Sequence, residues 1–270
     1  MKMCHKQVVE EHNKTAEEYD SWYNNSYSRF VEDIETDILL QFLNDKKDVL
    51  ILDAAGGTAR LAIRLAEKGF NVHCVDLAER MLEVGRKKAS KKGLQERICF
   101  INADITCLDN FKDNTFDFTF CFGTALSYCN AEEVLREFSR VTKKGSFIVV
   151  DFKSFYRNLG RIIIDRRVEL EDYLKTKIYN SKYHTYNEIN YTIDDVEKLI
   201  KHAGLKLTNI LGKSVFNNYF ENLSKQQLEL LFQDKNSLEE YKQHDWQLRE
   251  RRDLIPMCLE IVAIIKNESV

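Results

Sequence analysis

Residues Val49 to Arg60 read VLILDAAGGTAR, and this stretch decides the fold. Four apolar residues, Val49 to Leu52, run into a single acid, Asp53. A short continuous apolar run is the mark of a strand buried on both faces, as in a parallel sheet. Ala54-Ala55-Gly56-Gly57 then makes a turn of small residues, and Leu61, Ala62, Leu65 and Ala66 fall on one face of a following helix. Strand, small turn and helix form a ligand-binding corner, because small residues let a ligand approach the backbone and the first helical amides face it. The ligand is not a dinucleotide of the usual kind. The fingerprint G-x-G-x-x-G, read from Ala55, places Arg60 at its third glycine. An acid closing the strand also disfavours a nearby diphosphate and suits a ligand with a positive group.

Downstream, the alternation continues through residue 152. Strands are expected at 48–53, 71–76, 97–102, 115–122 and 145–151, with helices at about 58–68, 78–92 and 130–143. Met81, Leu82, Gly85 and Ala89, then Val134, Leu135, Phe138 and Val141, form the apolar stripes. Regular βαβ alternation implies an α/β fold with helices on both faces of a parallel sheet. The second strand ends at Asp76, 23 residues after Asp53, a distance at which an acid can accept both ribose hydroxyls of an adenosine ligand. Asp76 with Glu79 also reads as a plain helix start. The third strand ends in Asn102-Ala103-Asp104-Ile105, and the fourth in Cys121-Phe122-Gly123-Thr124, followed by Ala125-Leu126-Ser127-Tyr128.

Together these residues resemble the class I S-adenosylmethionine-dependent methyltransferases. Their first motif is (D/E)-x-G-x-G-x-G. Asp53, Gly57 and Thr58 match it, while Ala55 and Ala59 replace two glycines. The Ala16…Tyr19-Asp20…Trp22 pattern resembles the segment that covers the cofactor in many small-molecule members, and Val141 to Val150 resembles a structural segment of the family. The resemblance spans about 16–152, 192–211 and the last strand. It implies a Rossmann-like, seven-stranded, mostly parallel sheet in the order 3-2-1-4-5-7-6, with strand 7 antiparallel. It implies S-adenosylmethionine as cofactor, with Tyr19, Asp53, Ala55, Gly56, Gly57, Arg60, Asp76, Leu77, Met81, Asp104, Ile105, Cys121 and Phe122 around it. Asp104 would meet the adenine amino group and Ile105 the ring.

The chain of 270 residues suits one domain with insertions. The expected plan is an N-terminal cover at 1–47, a cofactor-binding core at 48–152, a cap insertion at 153–190, closing core elements at 192–211 and 258–266, and a charged helical insertion at 213–256. Residues 178–191 could pair as strands. Thr192 with Asp195, Ser224 with Gln227, and Ser237 with Glu240 mark helix starts. The charged insertion reads as a solvated flap.

Seven cysteines without CxxC spacing read as reduced core residues of a cytoplasmic protein. No apolar run approaches a membrane span, and no signal peptide opens the chain. The net charge of −3 offers no general attraction to nucleic acid or anionic lipid. The basic run Arg86, Lys87, Lys88, Lys91, Lys92 reads as a solvated helix face. The (D/N/S)-P-P-(Y/F/W) signature of base-modifying members is absent after the fourth strand. Asp117 precedes that strand's end, so no metal is expected.

Methyl transfer requires alignment and exclusion of water more than acid–base chemistry. The candidates for a base are Tyr19, Tyr128 and His184, each of which reads more readily as an aromatic wall or surface residue than as a base. The aromatic segments Tyr19–Tyr23, Gly123–Tyr128 and 153–190 suit a small-molecule acceptor or short peptide. The rivals are an RNA or protein methyltransferase and a non-catalytic binder of the same cofactor. The sequence does not speak to oligomeric state.

Overall fold

A computed structural model describes residues 5–43, 48–165, 169–180, 186–216, 220 and 223–268. Its centre is a seven-stranded sheet. The strands are β1 (Leu50–Ala54), β2 (Asn71–Asp76), β3 (Ile98–Asn102), β4 (Phe116–Cys121), β5 (Thr142–Lys153), β8 (Lys206–Lys213) and β9 (Glu260–Lys266). Their order is β3-β2-β1-β4-β5-β9-β8. The first five lie parallel, and β9 runs antiparallel to both neighbours. This is the expected 3-2-1-4-5-7-6 arrangement.

Alternation along each strand divides the core in two. Ile51, Cys74, Phe120 and Val149 face one layer with the helices α2 (Ser26–Leu43), α3 (Arg60–Glu67) and α4 (Glu79–Lys91). Leu52, Val75, Cys121 and Val150 face the other, with α5 (Ala131–Val141) and α8 (Ile193–His202). Gly85 lets α4 press close, since a Cβ there would lie 2.7 Å from the Phe100 ring and 3.3 Å from the Ala59 methyl. The chain turns extended at Thr142, one residue after α5 ends, where its hydroxyl meets that of Thr119 at 2.6 Å.

Outside the sheet, α1 (His5–Trp22) lies along α4. The first insertion forms α6 (Phe155–Asp165), α7 (Leu170–Thr176) and a hairpin of β6 (Ile178–Asn180) with β7 (Asn187–Ile189). The second holds α9 (Lys225–Gln233) and α10 (Lys235–Leu248). Capping boxes start α8 at Thr192 and α9 at Ser224, but α10 begins at Lys235, ahead of Ser237. Nor is this insertion a solvated flap. Phe220 and Phe232 are buried against Phe30 of α2, Lys242 pairs with Asp33 at 2.8 Å, and Arg249 is buried beside Asp245. Cys74, Cys121, Cys129 and Cys258 are buried, whereas Cys99 and Cys107 are exposed.

Candidate active site

The carboxyl ends of β1, β2 and β3, the loop after β4, and α1 enclose one cavity of about 180 Å³. Open parallel sheets bind ligands at this edge. Its walls carry Tyr19, Asp53, Ala55, Gly56, Gly57, Arg60, Asp76, Leu77, Met81, Asp104, Ile105, Phe122 and Tyr128. Cys121 does not reach it. In an extended strand neighbouring side chains point oppositely, so Cys121 enters the layer under α5 while Phe122 turns to the cavity. His184 lies outside the described residues.

The turn after β1 is held in an unusual shape. Ala55 and Ala59, at the two lost glycine positions, both take a left-handed conformation, with φ of 57° and 61°. That conformation costs an L-residue about 1–2 kcal/mol. Gly56 is required by space, since a Cβ there would sit 2.6 Å from Cys74 Sγ and 2.7 Å from Asp53 Oδ2. Its amide donates to the Val75 carbonyl at 3.0 Å, tying the turn to β2.

Asp53 is almost fully buried, and its Oδ2 has no hydrogen-bond partner among the described residues. Burial, with Asp76 nearby, pushes its carboxyl well above the usual range. Asp76 accepts the Gly57 amide at 2.9 Å and the Ala78 amide at 2.8 Å. Burial raises its pKa, and those amides pull it back. Asp76 is therefore not the helix cap, a position taken by Ala78. Asp104 accepts the Thr106 amide and hydroxyl at 2.8 and 2.7 Å.

The cover is tied down residue by residue. Thr58 donates its hydroxyl to Asp20 Oδ1 at 2.6 Å, and Lys88 meets Asp20 Oδ2 at 2.5 Å. Lys87 pairs with Glu17 at 3.0 Å, and the Arg80 amide donates to Asn13 at 3.0 Å. Ala16 packs with Ala78 and Met81. Part of the basic face of α4 is thus a seat for α1. Arg60 pairs with Glu32 at 2.5 Å and lies flat over the Tyr23 ring at 3.7 Å.

Aromatic groups line the roof. The Tyr19 and Tyr23 hydroxyls lie 3.3 Å apart, His12 lies tilted to Tyr19 and stacks on Tyr186, and Tyr186 meets Tyr128 edge-on at 5.0 Å. Burial drives the Tyr19 and Tyr128 hydroxyls well above their ordinary pKa, which suits walls and not bases at neutral pH.

Sequence reading missed several groups at this edge. Glu35 reaches the cavity from α2 and pairs with Lys213 Nζ at 2.7 Å. Lys213, buried at the end of β8, also meets Asp151 at 2.6 Å and Glu260 at 3.2 Å. Asp151 in turn accepts the Gly123 and Thr124 amides at 3.1 and 2.7 Å, fixing the loop after β4. A signal existed: Asp151 follows the apolar run Phe147 to Val150 as Asp53 follows Val49 to Leu52, and Glu35 interrupts the apolar stripe of α2.

A family described as "Methyltransferase domain" matches residues 51–145. Over these residues, which carry β1 to β4 and the start of β5, the chain is similar to methyltransferase domains. The ubiquinone/menaquinone biosynthesis C-methyltransferase UbiE of Ruegeria sp. is 33% identical over 141 residues, covering 51% of this chain and 55% of that protein. The chain spans about half the length of the curated relatives it matches. A possible histamine N-methyltransferase from Thermotoga maritima superposes with a TM-score of 0.60 at 17% identity, over 97% of this chain and 99% of that one. The geranyl diphosphate C-methyltransferase of Streptomyces coelicolor gives 0.58 at 12%, over 87% and 79%. At such identities these two show the fold alone. Among the described residues no helix is long and apolar enough to cross a membrane.

Proposed function

We propose that the protein binds S-adenosylmethionine in this cavity and methylates a small or medium acceptor. The observation that carries the proposal is the convergence of Asp53, Asp76 and Asp104, from three successive strand ends, on one cavity floored by Gly56 and Gly57. The residues fit the group. Asp53 Oδ2 is a buried oxygen that awaits a donor, and Gly56 and Gly57 bring no side chain into the cavity they line.

When bound, S-adenosylmethionine supplies a methyl group on a positively charged sulfur that is already a good leaving group. The chain's part is to bind, align and exclude water. Asp76 holds the ribose hydroxyls while fixing the turn through Gly57 and Ala78. Asp104 and Ile105 take the adenine end, and Leu77 and Met81 the apolar walls. Tyr19, brought by α1, closes the roof, and Tyr128 and Phe122 shape the acceptor side. No base is assigned. The names of the relatives extend to small organic acceptors, which an enclosed, aromatic-walled cavity accommodates.

Calorimetry with the full chain tests the reading. S-adenosylmethionine and S-adenosylhomocysteine should bind, and NADH much more weakly. Saturable NADH binding with no heat from the first two ligands ends it. Retention of the cofactor with no turnover on any acceptor would leave a binding protein of the same fold.

A further inference from the structure

Resting on the cofactor reading above, we propose that the acceptor carries a protonated amine, held between Glu35 and the tyrosine wall on the β4–β5 side of the cavity.

The topology divides the cavity. Asp76 and Asp104 stand over β2 and β3, at one side of β1. Glu35, Phe122, Gly123 and Tyr128 lie toward β4 and β5, at the other. Adenosine, held by the first group, leaves the second for the remaining ligand.

Three carboxylates, Glu35, Asp151 and Glu260, surround Lys213 there, and Glu35, Asp151 and Lys213 are buried. Burial raises Glu260 to about 7, against the pull of Lys213. Arg60 shares the cavity wall but is drawn off by Glu32 and by the Tyr23 ring. A cation entering this space gains from Glu35 on the cavity wall, and an anion such as a carboxylate or diphosphate meets repulsion from it.

The wall fits the same guest. Tyr19 and Tyr128 line the cavity, and Tyr186 packs edge-on against Tyr128. Buried tyrosines kept neutral by desolvation offer ring faces to a cation without competing as anions. A hydrophobic cavity with no carboxylate behind it would select flat neutral acceptors. This one adds Glu35, whose pairing with Lys213 fixes its position at the cavity wall.

Three probes of one shape and different charge test the proposal: phenethylamine, 2-phenylethanol and 3-phenylpropionate. Each is titrated into the full chain saturated with S-adenosylhomocysteine. Phenethylamine should bind at least about tenfold more tightly than the alcohol, and the carboxylate most weakly. Glu35→Gln should cost the amine about tenfold and leave the alcohol unmoved. Tyr128→Leu should weaken the amine severalfold more than the alcohol. Melting curves establish that each variant folds, and if Glu35→Gln does not, Tyr128→Leu carries the decision. Equal or tighter binding of the carboxylate, absence of amine binding, or an amine affinity indifferent to the substitutions in folded protein overturns the proposal. Failure of S-adenosylhomocysteine to bind strikes the cofactor reading instead, and the three probes are then ranked on the protein alone.

Discussion

The Thr58 hydroxyl, at the start of the ligand-binding turn, donates to Asp20 Oδ1 of α1 at 2.6 Å. The turn that would hold the cofactor and the helix that would cover it are thus joined by one short bond. Lys88 braces the same carboxylate from α4.

Asp20→Ala should therefore loosen the cover. It leaves the buried Thr58 hydroxyl unsatisfied, a loss of about 1–3 kcal/mol felt mainly as local opening. Hydrogen exchange across residues 5–22 should accelerate roughly tenfold or more, with exchange in β1 and β4 unchanged. Removing residues 1–24 should go further, abolishing turnover while the sheet stays folded by circular dichroism. Full-rate methylation by the truncated protein would mean α1 is not the cover.

Asp76→Ala should do two things at once. The amides of Gly57 and Ala78 lose their acceptor, at a cost of about 1–3 kcal/mol in stability. Affinity for S-adenosylhomocysteine should fall on the order of ten- to a hundredfold. Denaturant titration and calorimetry read the two separately. Lost stability with intact affinity removes Asp76 from the ribose.

Ala55 bears directly on the strained turn. Ala55→Gly relieves about 1 kcal/mol of left-handed strain but gains a comparable freedom in the unfolded chain. Its midpoint in urea should barely move. Ala55→Val, β-branched at φ 57°, should lose roughly 2 kcal/mol or more. Equal midpoints for glycine, alanine and valine would refute the left-handed geometry.

Glu260 makes stability depend on pH. Its folded pKa of about 7 exceeds the ordinary value of 4.5, so between those limits the folded protein binds more protons than the unfolded. This group's contribution is full at low pH and is lost as pH rises through 7. Glu260→Gln should remove that slope and stabilise the protein above pH 7 by on the order of 2 kcal/mol. Lys213 keeps Glu35 and Asp151 as partners. Parallel melting-temperature profiles from pH 5 to 8 for the two proteins would contradict this.

The sheet was legible because its evidence is local. Each parallel strand is a short apolar run, and β1, β2 and β3 meet an acid at or just beyond their ends, so order along the chain maps onto position along one edge. The small turn after β1 was legible for the same reason, although only coordinates reveal that Ala55 and Ala59 accept the glycine conformation. The buried quartet of Glu35, Asp151, Lys213 and Glu260 was not legible. Its members are scattered over α2, β5, β8 and β9, and no spacing relates them until the antiparallel β9 folds back. The seat of α1 was hidden similarly, since Lys87 and Lys88 look like any solvated helix face until Glu17 and Asp20 arrive. The charged composition of 213–256 concealed Phe220 and Phe232, which anchor that insertion on α2.

The attachment of α1 has a kinetic consequence. An 18-residue helix is held to α4 by ion pairs at its rim and a few small apolar contacts at its centre. Exposed pairs are screened by salt over a Debye length of about 8 Å at physiological ionic strength. The residence time of a ligand beneath α1 should therefore shorten as salt is added, even where the equilibrium stability of the sheet does not change. Stopped-flow release of S-adenosylhomocysteine at low and high salt measures it. A release rate independent of salt would mean that the ligand leaves without the helix lifting. With the helix as gate, the ions of the medium would help set how fast a bound ligand exchanges.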